Sequence, residues 1–203
     1  MKTFTTLDIN NTEEKPTLWV FGCSHSYGVG LNANEQRYPD LLAEYLNLPL
    51  KLVAKPGSST HFSLRHLVNA NIKELDTVVW QLTTAERFSY VVRGDISEIL
   101  LSRRPYQKFI DFYTDEQIIF NHLSLVNIGA MYLRAKKVKF SMISVLSPGV
   151  PFDPIMQEYI TYPEYCITEK CHVDIGTDNL HLGPLSHQKI SQTLLNHIQY
   201  NNE

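Results

Sequence analysis

The run TLWVFGCSHSYGVG, residues 17–30, decides the fold. Thr17 to Phe21 form a short apolar stretch closed by Gly22, the pattern of a buried strand that ends in a tight turn. Further runs of the same kind follow at Leu50–Ala54, Thr77–Leu82 and Val138–Val145. Between them lie segments with apolar residues at helical spacing: Tyr38–Leu46, His61–Leu75 and Asp115–Ala135, with Ser186–Ile198 after the last strand. Continuous apolar strands alternating with helices predict an α/β fold of three layers, flavodoxin-like, with a mainly parallel sheet and helices on both faces. In such sheets ligands sit beyond the carboxyl ends of the strands. The residues that matter are therefore those just after each strand.

The chain has 203 residues, 43% of them hydrophobic and 19% charged, an ordinary globular composition that predicts one domain over 1–203. A net charge of −3 and no long basic run give no electrostatic footprint for a nucleic acid. The N-terminus, with Asp8, Glu13 and Glu14, lacks a signal-peptide core, and no stretch reaches the roughly 20 apolar residues of a membrane span. No membrane partner is expected, and the expected location is cytoplasmic. Cys23, Cys166 and Cys171 are odd in number and suggest no disulfide framework. Cys166, Cys171 and His172 fit no common zinc spacing, so no metal site is expected.

After the first strand, Ser24 sits in a turn with Gly22, Gly28 and Gly30. A serine there exposes its hydroxyl to the crevice, among backbone N–H groups that can hold an oxyanion. The same segment reads equally well as a glycine-rich turn with a capping serine. Cys23 and Ser26 are the rival nucleophiles, Cys23 being the better fit to a buried packing role. Near the other end, TDNLHLGP, residues 177–184, places Asp178 and His181 three residues apart on one loop. The carboxylate can then hold imidazole Nδ1 and leave Nε2 as a base. Taken alone, that loop is also a turn and helix start. His61, His66, His122, His172 and His197 read as surface or loop histidines; His187 lies closer to the catalytic loop.

These segments resemble the SGNH (GDSL-like) hydrolase family. FGCSHSYGVGL resembles its first block, AKPGSSTHFS (residues 54–63) its second, and DNLHLGPLSH (residues 178–187) its last. The resemblance spans Leu18 to Gln192 and implies Ser24 as nucleophile, His181 as base and Asp178 as its orienting acid. The oxyanion hole would be formed by the backbone of Ser24 and Gly57, with His25, Thr83 and Arg87 in contact with substrate. It implies an ester hydrolase for a small acyl ester, such as a carbohydrate O-acetyl group, with no cofactor. The family's third block departs here: QLTTAER, residues 81–87, has no asparagine, and Thr84 falls nearest its position. Loss of one oxyanion donor costs on the order of 10²–10³ in rate. That departure supports the alternative of a catalytically reduced domain that binds a carbohydrate, an acyl ligand or a partner protein. Residues 88–114, rich in aromatics, read as a long insertion that either walls the substrate pocket or makes a satellite hydrophobic cluster or a homo-oligomer surface.

Overall fold

In a computed structural model of the chain, the described residues are 15–93, 95–100, 114–145, 162–166 and 168–200. Strand β1 (Leu18–Gly22) leads into a single helical turn, α1 (Ser24–Tyr27), then α2 (Tyr38–Leu46), β2 (Leu50–Ala54), α3 (Thr60–Asn69) and β3 (Thr77–Leu82). A hairpin, β4 (Arg87–Val92) and β5 (Asp95–Leu100), precedes α4 (Asp115–Ala135), β6 (Lys139–Ser144), β7 (Tyr165–Cys166) and α5 (Pro184–Tyr200). The main sheet has the order β2-β1-β3-β6-β7, with every pairing in it parallel.

The central strands β1 and β3 are buried along their whole length because both faces of the sheet are covered there. Successive side chains of a strand point to opposite faces. Trp19, Phe21, Val78 and Trp80 accordingly pack with Leu64 and Leu67 of α3 and Val126, Ala130 and Leu133 of α4. Leu18, Val20 and Val79 pack the other way, with Tyr38 and Leu42 of α2 and Ile190 and Leu194 of α5. Each such large side chain contributes about 1.5–3 kcal/mol when fully buried. Trp80 also needs a partner for its indole N–H, which donates to Ser63 Oγ at 2.8 Å. Its ring leaves no room for a Cβ at position 129, which is glycine.

Two sequence expectations are corrected. The helix predicted over 61–75 stops at Asn69, because Asp76 pulls the following chain into the sheet. Its carboxylate accepts from Lys73 N at 2.9 Å, Thr17 N at 2.8 Å and Trp19 Nε1 at 3.0 Å. The segment 88–114, expected as a loop, begins as the β4–β5 hairpin, paired from Arg87↔Leu100 to Val92↔Asp95; residues 101–113 lie outside the described residues. None of the helices among the described residues is long and apolar enough to cross a membrane.

Candidate active site

The first turn after β1 is built around a side chain that the motif reading passed over. Gln81, fully buried near the end of β3, directs Oε1 at the neighbouring strand's exit. It accepts from Cys23 N at 3.3 Å, from Ser26 N at 3.1 Å and from Ser26 Oγ, while its Nε2 donates to Cys23 Sγ at 3.0 Å. A Cβ on Gly22 would come within 2.7 Å of Gln81 Oε1, so this clamp requires glycine there. Ser24 lies between the clamped residues as the first residue of α1, where backbone N–H groups have no intrahelical partner.

Ser24 is only 7% exposed, and its carbonyl accepts from Gly28 N and Val29 N at 2.9 and 3.0 Å. Ser26 is excluded as a rival: it is wholly buried, and its hydroxyl also pairs with Tyr38 Oη at 2.6 Å. Cys23 is buried as expected, its Sγ held by Gln81 and 3.8 Å from Ser24 Oγ.

The Asp178 and His181 pair is formed. Asp178 Oδ2 meets His181 Nδ1 at 2.5 Å, and Oδ1 accepts from His181 N at 3.0 Å and Leu180 N at 3.1 Å. These bonds, led by the His181 N–H, hold the carboxyl down to about 2. The loop is seated on the exit of α1. Thr177 N and Oγ1 both donate to the Gly30 carbonyl, at 2.8 and 3.0 Å, and a Cβ on Gly30 would come within 2.9 Å of Asp178 Oδ1. The His181 ring lies against His25, the residue after Ser24, with centroids 5.1 Å apart and planes tilted by 58°. His25 is buried, which pushes its pKa down to about 3 and keeps it neutral, and its Nδ1 has no partner. Among the described residues, no direct hydrogen bond joins Ser24 to His181.

Gly57 lies in a Pro-Gly turn closed by Ser58 N to Lys55 O at 3.0 Å. Its φ of +78° is the left-handed conformation that a type II turn demands, and the space beside its Cα is open. Ser58 Oγ donates to the Gly22 carbonyl at 3.1 Å, which fixes this turn beside the end of β1. Past β3 the two threonines divide. Thr83 is buried with its hydroxyl 3.2 Å from that of Thr60, so it holds β3 to α3 rather than facing a ligand. Thr84 Oγ1 is buried and unpartnered. Arg87 Nη1 donates to Ser58 O at 3.3 Å. His187 is structural: buried, stacked on Tyr38 and accepting from Tyr38 N at 3.1 Å. The signal for Gln81 was present in the sequence, as a polar residue inside an apolar strand.

No family model matches this sequence, and no curated protein does. Solved structures do match in fold. An acetyl xylan esterase from the rumen bacterium Butyrivibrio proteoclasticus is 13% identical with a TM-score of 0.58; the match covers 92% of this chain and 64% of that one. This chain therefore spans less than two thirds of that protein. A G-D-S-L family protein from Desulfitobacterium hafniense, described as lipolytic, is 8% identical with a TM-score of 0.58, covering 90% of this chain and 99% of that one. A psychrotrophic esterase from Pseudoalteromonas is 13% identical with a TM-score of 0.57, covering 93% of this chain and all of that one, 100%. The parallel five-stranded sheet layered between helices is the SGNH hydrolase-like fold.

Proposed function

We propose that the chain is a serine ester hydrolase for small acyl esters, carbohydrate O-acetyl groups among them. The observation that carries this reading is the Asp178–His181 pair, seated through Gly30 on the turn that presents Ser24. Ser24 Oγ attacks the ester carbonyl and its proton passes to His181 Nε2, since Nδ1 is occupied by Asp178. The oxyanion is met by the N–H groups of Ser24 and Gly57, with the unpartnered Thr84 hydroxyl as a third donor in place of the family's asparagine. The alkoxide leaves with the proton from His181, and water, deprotonated by the same imidazole, releases the acid. His25 is neutral beside His181, so it adds no repulsive charge when the imidazolium forms.

Fluorophosphonate labelling tests this directly: the wild-type chain should be labelled at Ser24 and should hydrolyse a short aryl ester, and Ser24→Ala should do neither. Equal labelling of both proteins overturns the assignment. The second reading, a catalytically reduced binding domain, draws on the missing third-block asparagine and the absence of a direct Ser24–His181 hydrogen bond. In that case the wild-type chain would not be labelled.

A further inference from the structure

A cavity of about 410 Å³ lies beside the hairpin, at the low end of the roughly 300–1,000 Å³ of small-molecule sites. Strand β4 provides one side with Arg87 to Tyr90, and α4 provides another with Ile118, Asn121, His122 and Leu125, spaced to share one helix face. His61 and Ser124 complete the part that matters for recognition. The cavity adjoins the proposed oxyanion turn. Arg87, which lines it, binds the carbonyl of Ser58, the residue after Gly57. The hairpin is braced against the start of α3 by Glu98, which accepts from Ser59 N at 2.8 Å and Ser89 Oγ at 2.7 Å.

We infer that this cavity holds the alcohol portion of the ester, a neutral ligand rich in hydroxyl groups such as a pyranoside ring. The inference rests on the ester-hydrolase reading above. Three ligand classes compete, and the donor and acceptor inventory separates them. Asn121 Oδ1 is taken by Gln117 Nε2 at 2.9 Å, which leaves the amide NH₂ as a donor. Ser124 Oγ donates to the Phe120 carbonyl at 2.8 Å, which leaves its lone pairs as acceptors. His61 Nδ1 is buried and has no partner. Burial lowers the His61 pKa, so the ring is neutral and offers one donor and one acceptor.

An acyl chain would leave these groups desolvated and unpaired, at a cost for each. An anion would use the donors but confront the acceptors. The Arg87 charge that would hold it shares its face of the hairpin with the Glu98 carboxylate, which repels an anion. A hydroxyl both donates and accepts, and matches the mixed set.

The test is ¹H–¹⁵N NMR on the full chain carrying Ser24→Ala, titrated separately with methyl β-D-glucopyranoside, sodium hexanoate and methyl β-D-glucuronide. The neutral glycoside should shift the amides of Arg87, Asn121 and Ser124, and Ser124→Phe, which fills the cavity, should abolish those shifts. Asn121→Leu, an exposed-helix change, gives the same readout should the Phe variant misfold, and should weaken glycoside binding roughly fivefold through one lost hydrogen bond. Hexanoate or the glucuronide shifting these amides more strongly than the neutral glycoside overturns the proposal, as does no shift with any probe. Absence of fluorophosphonate labelling would instead overturn the hydrolase reading and leave this binding result standing.

Discussion

Gln81→Leu is the most informative single change, because the side chain is wholly buried yet organises the turn that carries Ser24, the proposed nucleophile. Leucine is apolar and one atom shorter, and it removes both ends of the clamp. Two buried backbone donors, Cys23 N and Ser26 N, then lose their acceptor. Ser26 Oγ retains Tyr38 as its partner and is not orphaned. At about 1–3 kcal/mol for each orphaned buried group, the loss is about 2–6 kcal/mol. That is a large part of a typical total of about 5–15 kcal/mol, so the variant should fold but melt early. At roughly 2–4 °C per kcal/mol for a chain of this size, Tm should fall by roughly 5–20 °C. Displacing Ser24 by even ~1 Å should lower kcat on an aryl acetate on the order of 100-fold. Gln81→Glu separates clamp from packing. Its carboxyl keeps the acceptor, and burial raises its folded pKa, so its stability is greatest below the unfolded value and is lost as pH rises through the folded one. Tm measured by differential scanning fluorimetry from pH 5 to 8 should therefore fall for the Glu variant relative to wild type, while the penalty of the Leu variant stays flat. A Gln81→Leu protein with wild-type Tm and kcat would refute the clamp.

Three further changes probe the proposed catalytic loop and the Thr84 hydroxyl. The Asp178 carboxyl, held down to about 2, contributes stability that is present above the ordinary carboxylate range and lost as pH falls toward 2. Asp178→Asn should flatten that acid limb of the Tm-versus-pH curve and lower kcat at neutral pH. Gly30 has a φ of +91° and carries the Asp178–His181 loop on its carbonyl, so Gly30→Ala should strain the backbone and push Asp178 away. Steady-state kinetics should show a fall in kcat with little change in KM. Thr84→Val removes the unpartnered hydroxyl without changing shape; if that hydroxyl meets the oxyanion, kcat should drop by up to on the order of 10²–10³ with Tm unchanged.

The layers were legible because they follow from local periodicity. Asp115–Ala135 forms over the residues its spacing predicts, its N-terminus fixed by Thr114, whose hydroxyl accepts from Gln117 N at 3.2 Å. The end of α3 was not legible, since Ile72 and Leu75 continue a helical pattern and only the distant bonds of Asp76 override it. The hairpin escaped for a different reason. Its turn includes Arg93 at φ +51°, and Arg-Gly at 93–94 is a far weaker hairpin signal than Asn-Gly.

The same division holds within the site. The Asp178 and His181 pair is local, three residues on one loop, and spacing alone brings it together. Gln81 is fixed by partners 55 and 58 residues away in the chain, so its role appears only when β3 lies beside β1. What the sequence did offer was a contradiction: a glutamine in a strand that must be buried on both faces, which has to find hydrogen-bond partners there. Thr83 and Thr84 show the limit from the other side. The two adjacent hydroxyls are chemically identical, and only orientation separates them. Thr83 is claimed by Thr60, and Thr84 is left buried without a partner. An unpaired buried hydroxyl costs stability, so its position past the end of β3, where ligands sit in parallel sheets of this kind, is a reason to test it in catalysis before packing.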